Sequence, residues 1–337
     1  MSSAKNIPKT AKGAFFEKTG GEVSIQEYKV NQQSELEPGQ ALVKVEYSGV
    51  CHTDLHALCG GHEGAGRIVA IADNTTTDLK VGDAVGMKWL ADSCMHCAYC
   101  RQGYESLCSQ AKLHGFTHDG TFQQYAVSYT NHLTRIPDGL GLDEAAPVLC
   151  AGVTVYKAIK QSGVRVGQWI ALPGAGGGLG HLAIQYAQAQ GLRVIAIDTG
   201  EEKKKLCEKL GAEVWIDFKE HEDIVKAIKS ATPDGLGPHA SIVTAAQASG
   251  YEQALGYIRP GGVVVAVGLP PGAVIKSEVF SHGSYVGNRQ DADEAIQLAA
   301  LGKVKCEFVL KKLEDLPQIY EDMHQGRMVG RTVLKLH

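Results

Sequence analysis

From about residue 152, the chain alternates between short apolar runs and longer amphipathic runs, with glycine at most of the junctions. The pairs are WIALPG with GLGHLAIQYAQAQG, LRVIAID with GEEKKKLCEKLG, AEVWIDF with HEDIVKAIKSA, and ASIVTA with ASGYEQALGYI, followed by a last run, GGVVVAVG. Continuous apolar strands that alternate with amphipathic helices are typical of a parallel sheet covered by helices. The pattern predicts an α/β fold with a doubly wound, Rossmann-type parallel sheet.

The first 150 residues have a different rhythm. Short runs of β-type residues, such as ALVKVEYSGV (41–50) and GRIVAIA (66–72), are separated by Gly, Asp and Asn turns, which predicts a β-rich module. After about residue 288, a helical stretch and a last strand, RTVLKLH, end the chain. We expect a β-rich domain over 1–151, a nucleotide-binding domain over 152–288, and a segment over 289–337 that returns to the first domain.

Composition limits the partners and the location. The 337 residues are enough for two domains, and the net charge is −4 with Lys and Arg scattered along the chain, which argues against nucleic acid and anionic membranes. The start, MSSAKNIPKTAKGAFF, lacks the apolar core of a secretory signal. Apolar runs such as VVVAV (263–267) are far shorter than the roughly 18–20 residues of a membrane span. We therefore expect no nucleic acid, no membrane and a cytoplasmic location.

The turn GAGGGLG (174–180) follows the first strand of the alternating region. Such a turn lets the backbone approach a pyrophosphate and directs a helix N-terminus at it. Because Ala175 interrupts the usual GxGxxG spacing, a plain tight turn is an alternative. Asp198 ends the next strand, where a carboxylate accepts the ribose hydroxyls and repels a 2′-phosphate, so NAD is favoured over NADP. Lys203 follows Asp198 by five residues and is a second candidate for the ribose contact. A lysine in EEKKK is, however, more often part of a solvated helix face.

Four of the nine cysteines lie close together in CMHCAYCRQGYESLC. In a reducing cytosol this clustering favours metal thiolates over disulfides. Four thiolates leave no open position on a tetrahedral ion, so the site predicted is a structural zinc. An iron–sulfur cluster uses similar spacing, but no proline follows the last cysteine and there is no second cluster run. The four ligands predicted are Cys94, Cys97, Cys100 and Cys108.

A second candidate metal set begins in CHTDLHALCGGHEG (51–64). Cys51 and His62 offer a thiolate and an imidazole, with Glu63 beside them, and a catalytic zinc would need a third protein ligand and an open fourth position. Cys150 lies where the β-rich module meets the nucleotide fold and is a candidate for that third ligand. A lone buried cysteine is otherwise usually a small hydrophobe.

Six segments resemble the zinc-dependent alcohol dehydrogenases of the medium-chain dehydrogenase family, particularly the fungal ethanol-type enzymes. They are YSGVCHTDLHA, GGHEGAG, KWLADSCMHCAYC, THDGTFQQYA, APVLCAGVTVYKA and GSYVGNR. The resemblance extends from about residue 10 to the end of the chain. It implies that 1–151 is a GroES-like catalytic domain with a structural zinc lobe at 93–109, and that 152–288 binds NAD.

The resemblance also implies roles for individual residues near the catalytic zinc. Thr53 bonds the alcohol oxygen, and His56 ends a proton relay through the cofactor ribose. The alternatives are that Thr53 caps the following turn and that His56 is a surface histidine. Trp89 matches an aromatic residue that narrows the substrate channel in favour of small primary alcohols, or is simply a core tryptophan. The resemblance implies that the ligands of this zinc are Cys51, His62 and Cys150, with Glu63 as a residue beside the metal or an alternate ligand.

A third set of implied roles concerns the cofactor. The pyrophosphate is held by His52, Arg331 and the backbone of 176–180, and the nicotinamide carboxamide by backbone groups of Val267 and Leu269. The complete cofactor set implied is His52, Gly176, Gly177, Gly178, Leu179, Gly180, Asp198, Lys203, Val267, Leu269 and Arg331.

The chain departs from the family pattern in two places. Family members carry about a dozen more residues between HA and GGHE, where only Leu58 and Cys59 stand here, and about eight more before GSYVGNR. Eleven positions still suffice to bring Cys51 and His62 to one ion. Loss of most of a buried strand near 280–283 would cost several kcal/mol. The two shortenings have three explanations: a gene reading that omits residues, mobile loops left out of the expressed chain, or a natural shortening.

Two functions follow as expectations. The leading one is a zinc-dependent, NAD-dependent alcohol dehydrogenase that interconverts small primary alcohols and aldehydes, with two zinc ions per chain. The other is a shortened paralogue that binds NAD and zinc but turns over weakly or not at all. By analogy with the family we expect a homo-oligomer, with a tetramer favoured over a dimer.

Overall fold

A computed structural model describes residues 7–16, 23–57, 60–245, 247–268, 281–325, 327 and 330–337. Seventeen strands are found in these ranges. They are β1 (Thr10–Phe16), β2 (Val23–Lys29), β3 (Gln40–Val50), β4 (Gly64–Ile71), β5 (Ala84–Met87), β6 (Leu90–Asp92), β7 (Lys112–Leu113), β8 (Tyr125–Tyr129), β9 (Thr134–Arg135), β10 (Trp169–Pro173), β11 (Arg193–Asp198), β12 (Val214–Asp217), β13 (Ala240–Val243), β14 (Val263–Ala266), β15 (Ser281–Gly283), β16 (Phe308–Lys312) and β17 (Arg331–Lys335).

Ten α-helices accompany these strands in the same ranges. They are α1 (His52–Ala57), α2 (Ala98–Arg101), α3 (Leu142–Ala145), α4 (Ala151–Gln161), α5 (Gly180–Ala189), α6 (Glu201–Lys209), α7 (Ile224–Ser230), α8 (Ala248–Tyr257), α9 (Arg289–Ala300) and α10 (Leu316–His324). No helix in the described ranges combines the length and the apolar character that crossing a membrane requires.

The chain divides into two compact units. The first unit contains residues 1–150, 288–300 and 307–337, and the second contains 151–287 and 301–306. The predicted segment 289–337 was expected to return as a whole to the first domain, whereas this division places 301–306 with the second unit. The domain boundaries themselves stay a prediction.

The second unit is built on a six-stranded parallel sheet. Its strand order is β12-β11-β10-β13-β14-β15, and every neighbouring pair is parallel. This is the order 3-2-1-4-5-6 of the Rossmann fold. All residues of β10 and β13 are buried, because helices cover a parallel sheet and leave its central strands no polar face. The α/β fold class with a doubly wound sheet is confirmed.

The sixth strand of this sheet is short. β15 has three residues, Ser281–Gly283, and pairs with β14 at the sheet edge. The predicted loss of strand residues near 280–283 overlaps this strand, and residues 269–280 lie outside the described ranges.

The first unit is built on a mainly antiparallel sheet. Its strand order is β16-β17-β3-β4-β5-β9, and β8 also pairs with β3. The long strand β3 is the centre of this sheet, with β17, β4 and β8 as antiparallel neighbours. Its side chains Val43 and Val45 are fully buried in a core shared with Ile68, Met87 and Phe122. The end of β3 at Val50 therefore fixes where the following residue, Cys51, is presented.

Candidate active site and metal centres

Three separated segments bring two cysteines and a histidine together in the first unit. Cys51 lies between β3 and α1, His62 lies two residues before the start of β4, and Cys150 directly precedes α4. One ligand atom from each, with a Glu63 carboxylate oxygen, lies within 4.8 Å of the others, and all four residues are buried. The structure therefore assembles the four residues predicted around the catalytic metal.

The separations of these atoms fit one tetrahedral zinc ion. Cys51 Sγ lies 3.9 Å from Cys150 Sγ, and His62 Nε2 lies 3.2 Å from Cys150 Sγ. Zinc–sulfur bonds of about 2.3 Å at tetrahedral angles place two sulfurs about 3.8 Å apart. The hydrogen bond with Cys150 also holds the pKa of Cys51 well below the usual thiol range, against the opposing effect of burial. The donor set thus offers the thiolate that a metal requires.

Asp54 is a functional residue that the sequence interpretation missed. Its Oδ1 lies 2.8 Å from His62 Nδ1, and its Oδ2 accepts a 2.7 Å hydrogen bond from the backbone N–H of Cys51. The carboxylate is fully buried. Because His62 Nε2 faces the cysteine sulfurs, Nδ1 carries the ring proton and donates a hydrogen bond to Asp54, the arrangement that orients metal-binding histidines. The sequence signal was an acidic residue three positions after Cys51, in the same helical turn.

Glu63 lies beside the same ligands with one free carboxylate oxygen. Arg331 Nη2 donates to Glu63 Oε1, while Oε2 is buried without a hydrogen-bond partner among the described residues. Burial raises the pKa of Glu63 to about 7. A Cβ atom added to Gly49 would lie 2.0 Å from Oε2, so a larger residue at position 49 would displace the Glu63 side chain. An orphaned carboxylate oxygen at a cluster of metal ligands fits a cation in the site.

Arg331 has a position of its own in the first unit. Besides its ion pair with Glu63, its Nη2 lies 3.4 Å from the carbonyl oxygen of Val50. The side chain is buried. The structure thus places Arg331 against the metal ligands, and its implied contact with pyrophosphate stays a prediction.

Two glycine-containing segments, residues 60–61 and residues 115–122, pack against each other and hold His62 in place; we call them the two glycine segments. The Gly60 N–H donates to the Gly115 carbonyl at 3.1 Å, and the Phe122 N–H donates to the Gly60 carbonyl at 2.7 Å. A Cβ atom on Gly120 would lie only 2.3 Å from the Gly60 oxygen. Backbone hydrogen bonds therefore join residues 60–61 to residues 115–122, much as they join neighbouring strands of a sheet. These bonds position His62, so a long linker before it is not needed.

The predicted relay residues lie on α1. The Thr53 N–H donates to Cys51 Sγ at 3.5 Å, and the side chains of His52 and Thr53 are exposed. The side chain of His56, like Leu58 and Cys59, lies outside the described part of the structure. Their roles stay predictions.

Trp89 is buried beside the metal ligands. Its ring meets the His62 ring edge-on at a centroid distance of 4.9 Å, and the Phe116 ring stacks on it at 6.2 Å. The indole is 8% exposed, so it is both a core residue and a wall next to His62. This position is compatible with both interpretations of Trp89, as a core tryptophan and as an aromatic residue that narrows the substrate channel.

The other predicted metal set forms a separate lobe of the first unit. Ligand atoms of Cys94, Cys97, Cys100 and Cys108 lie within 4.8 Å of one another, and the Cys94 and Cys100 sulfurs are 3.9 Å apart. Hydrogen bonds from the backbone of His96 and Cys97 lower the pKa of Cys94 to about 6. Four converging sulfurs at this spacing fit a closed tetrahedral zinc.

The residues predicted for the cofactor ribose come together in the second unit. The Asp198 carboxylate accepts hydrogen bonds from the Gly176 N–H at 3.0 Å and from Lys203 Nζ at 2.8 Å. Gly177, Gly178 and Leu179 are partly exposed, and Gly180 begins α5. A Cβ atom on Gly180 would lie 2.1 Å from the Gly174 carbonyl oxygen, so glycine is required for this tight turn. Val267 follows β14, while Leu269 lies outside the described ranges.

Comparison with known proteins identifies the family of the chain. Residues 37–138 match the alcohol dehydrogenase GroES-like domain, and residues 178–300 match the zinc-binding dehydrogenase domain. The chain is 48% identical to alcohol dehydrogenase 1 of Emericella nidulans, over 98% of this chain and 99% of that one. It is 47% identical to alcohol dehydrogenase 1 of Neurospora crassa, over 97% and 98% of the two chains.

This chain is a zinc-dependent alcohol dehydrogenase of the medium-chain family. The fold of the family agrees with solved structures: acetophenone reductase from Geotrichum candidum, in complex with NAD, superposes with a TM-score of 0.85 at 27% identity, over 98% of both chains. The family assignment and the GroES-like fold of the first unit are confirmed, and the individual site residues stay predictions.

The alignment with the Emericella alcohol dehydrogenase also bears on length. It extends over 351 residues although this chain has 337. The relative therefore has residues at positions where this alcohol dehydrogenase has none, in agreement with the shortenings seen in the sequence.

Proposed function

We propose that this alcohol dehydrogenase interconverts small primary alcohols, with ethanol as the reference substrate, and their aldehydes with NAD. The observation that carries the proposal is the buried Cys51, His62 and Cys150 cluster with Asp54 behind the imidazole. Two thiolates and one oriented imidazole are three protein ligands of a catalytic zinc, which leaves a fourth position for an alcohol.

The groups that the chain would hold supply the bond chemistry. Cys51, His62 and Cys150 would hold a zinc ion, which would supply a Lewis acid that lowers the pKa of an alcohol hydroxyl, and the second unit would hold NAD, which would supply a hydride acceptor. A second zinc at Cys94, Cys97, Cys100 and Cys108 has no open position and stabilises its lobe.

The chain's own residues bind and orient. Asp54 keeps the His62 proton on Nδ1, so that Nε2 remains a donor to the metal. Thr53, two residues after Cys51 and exposed, accepts the hydroxyl proton of the alcohol and passes it towards His56. Trp89 limits the space beside His62, so the carbon that bears the hydroxyl has to be unbranched. His52 and Arg331 contact the cofactor phosphates.

The second unit favours NAD over NADP. Asp198 is 5% exposed and ends β11, where it accepts the ribose hydroxyls of NAD and repels a 2′-phosphate. Lys203, already bonded to Asp198, contributes to the same ribose contact. Initial rates with NAD should exceed those with NADP at equal concentration. Equal rates would contradict this role of Asp198.

Thr53 gives the sharpest test of the proton step. Thr53→Val removes the hydroxyl and keeps the shape, so kcat on ethanol should fall about 100-fold or more. Thr53→Ser is the matched control because it retains the hydroxyl, and it should keep most of the activity. NADH absorbance measures both. Equal activity of the two variants would contradict the relay role and would support the turn-cap interpretation.

For the assembly and location we propose a cytoplasmic homo-oligomer, a tetramer rather than a dimer. The family resemblance supports this proposal. Light scattering on the purified protein should give four times the chain mass of 35.9 kDa. The mass of one chain would contradict it.

A further inference from the structure

Asp217 is a buried acidic residue of the second unit that lies beside Asp198. It ends β12 as Asp198 ends β11, and the two residues are register partners in this parallel pair. Register partners on neighbouring strands are about 4.8 Å apart and project to the same face of the sheet. Asp217 is 8% exposed and Asp198 is 5% exposed. Two buried carboxylates therefore lie side by side at the carboxyl ends of β11 and β12.

The two carboxylates share the hydrogen-bond donors of the turn that joins β11 to α6. The Thr199 N–H donates to Asp198 Oδ1 at 2.9 Å. The Thr199 hydroxyl and the Gly200 N–H each donate to Asp217 Oδ2 at 3.1 Å. The other oxygen of Asp217, Oδ1, accepts a 2.9 Å hydrogen bond from the Lys219 N–H. Each of these donors therefore already has a carboxylate as its acceptor.

Asp217 keeps its negative charge in this position. Burial opposes ionisation, but the N–H groups of Lys219 and Gly200 and the Thr199 hydroxyl donate to the carboxylate and hold its pKa below the usual range. Gly200 has a φ of +98°, which favours glycine, and directly precedes α6. The hydrogen bond from the Gly200 N–H to Asp217 fixes the backbone at the start of this helix. Asp217 thus contributes both charge and shape to the turn.

The strand order places Asp217 on the outer side of the proposed ribose site. The sheet runs β12-β11-β10-β13, and a dinucleotide lies in the crevice where the strand order reverses, here between β10 and β13. The glycine turn after β10 is the proposed pyrophosphate site, and Asp198 after β11 is the proposed ribose contact. Because β12 is the next strand outward, a ribose substituent that points away from the pyrophosphate extends towards Asp217 and the turn at 199–200.

We infer that Asp217 is a second determinant of cofactor choice, a positioning residue whose carboxylate occupies the donors that the 2′-phosphate of NADP would need. This inference rests on the proposed function, since it deepens the preference for NAD over NADP. Phosphate groups bind to clustered N–H and O–H donors and to cations. Asp217 engages the donors of the turn, and Asp198 engages the nearby cation, Lys203. A 2′-phosphate would therefore have to displace two carboxylates.

Removal of Asp198 alone leaves half of this arrangement in place. Asp198→Gly frees Lys203, but the Asp217 charge and its hydrogen bonds to Thr199 and Gly200 remain. Asp217→Ala, added to Asp198→Gly, also frees the donors of the turn. Asp217→Asn is the milder change, because it removes the charge and keeps one oxygen as an acceptor for the same donors.

The test measures Kd for NADH and for NADPH by fluorescence titration of the zinc-loaded enzyme. The ratio of Kd for NADPH to Kd for NADH should fall at least about tenfold from Asp198→Gly to Asp198→Gly/Asp217→Ala, with Asp198→Gly/Asp217→Asn between them. A merely structural role of Asp217 would weaken both nucleotides alike and leave the ratio unchanged. Glu222→Gln in the same background is the matched control, because Glu222 is an exposed acidic residue five positions after Asp217, and it should not alter the ratio.

The binding measurement separates this inference from the proposed function, because it needs no turnover. Wild type should bind NADH at least about tenfold tighter than NADPH. Equal ratios in Asp198→Gly and in both double variants would overturn the role of Asp217 and leave the proposed function intact. An Asp217-dependent ratio in a protein that oxidises no alcohol would keep the inference and refute the proposed activity. Equal Kd values for the two nucleotides in wild type would contradict both.

Discussion

At the scale of single residues, the contact between Asp54 and His62 orients the imidazole for the proposed metal site. Both side chains are buried, with at most 1% of either exposed. Asp54 also fixes the Cys51 backbone, so one carboxylate holds two of the three ligand segments. Spacing in the sequence indicated the ligands but not this carboxylate, because its partner His62 becomes a neighbour only after the chain returns through residues 60–61.

Asp54→Asn keeps the size of the side chain and removes its charge. Zinc affinity at the catalytic site should fall about 10- to 100-fold, with a matching loss of ethanol oxidation at limiting zinc. Competition with a chromogenic chelator measures the affinity. Asp78→Asn, at a carboxylate that is 89% exposed, is the control and should change neither quantity. Wild-type zinc affinity in Asp54→Asn would refute the orienting role.

Lys88 gives a pH dependence that is separate from the metal ligands. Its ammonium group donates to the His132 carbonyl and lies 3.4 Å from Thr134 Oγ1. Burial lowers the pKa of Lys88 to about 8. An unfolded lysine has a pKa of about 10.4. Between pH 8 and this value, Lys88 therefore binds more protons in the unfolded chain than in the folded one.

The free energy of unfolding should therefore rise with pH between about 8 and 10.4, by at most about 3 kcal/mol from this group. Below pH 8 the lysine is charged in both states and the penalty is constant. Lys88→Met removes the titrating group, so its denaturation curves should show a smaller rise over the same interval. Parallel pH dependences of the two proteins would contradict the lowered pKa.

At the scale of elements, the sequence was informative wherever periodicity alone decides the structure. The alternation after residue 152 predicted the parallel sheet, since buried strands and amphipathic helices differ in period. It did not predict that residues 60–61 bond to 115–122, because glycine segments carry no periodic signal.

Gly120→Ala tests the pairing of the two glycine segments. The added methyl group would meet the Gly60 carbonyl oxygen at 2.3 Å, so residues 60–61 have to move and His62 moves with them. A displacement of about 1 Å at a catalytic group can cost about 100-fold in rate, and kcat/KM on ethanol should fall by at least that factor.

The matched control for this variant is Gly250→Ala in α8, where the new Cβ meets its nearest atom at 3.5 Å. That variant should retain activity and lose no stability, because alanine is the better helix former. Zinc at the four-cysteine lobe should be retained in both proteins. Full activity of Gly120→Ala would show that the glycine contact does not position His62.

At the scale of the whole molecule, two metal sets of different design belong to one chain. Four converging cysteines would leave a zinc ion no open position, whereas zinc at Cys51, His62 and Cys150 would keep one, beside a carboxylate that is engaged by Arg331. The two shortenings leave both sets assembled, because the ligands lie on strands and turns that are fixed by their own hydrogen bonds. We therefore expect catalysis to survive the loss of linker residues.

The most direct test counts zinc and turnover in the same samples. Wild type should contain two zinc ions per chain and form NADH from ethanol and NAD. Cys150→Ala should contain one zinc ion and form no NADH, while Cys207→Ala, a buried cysteine outside both sets, should match wild type. Two zinc ions in wild type without turnover of any short alcohol, or full activity in Cys150→Ala, would contradict zinc-dependent alcohol oxidation at the Cys51, His62 and Cys150 site.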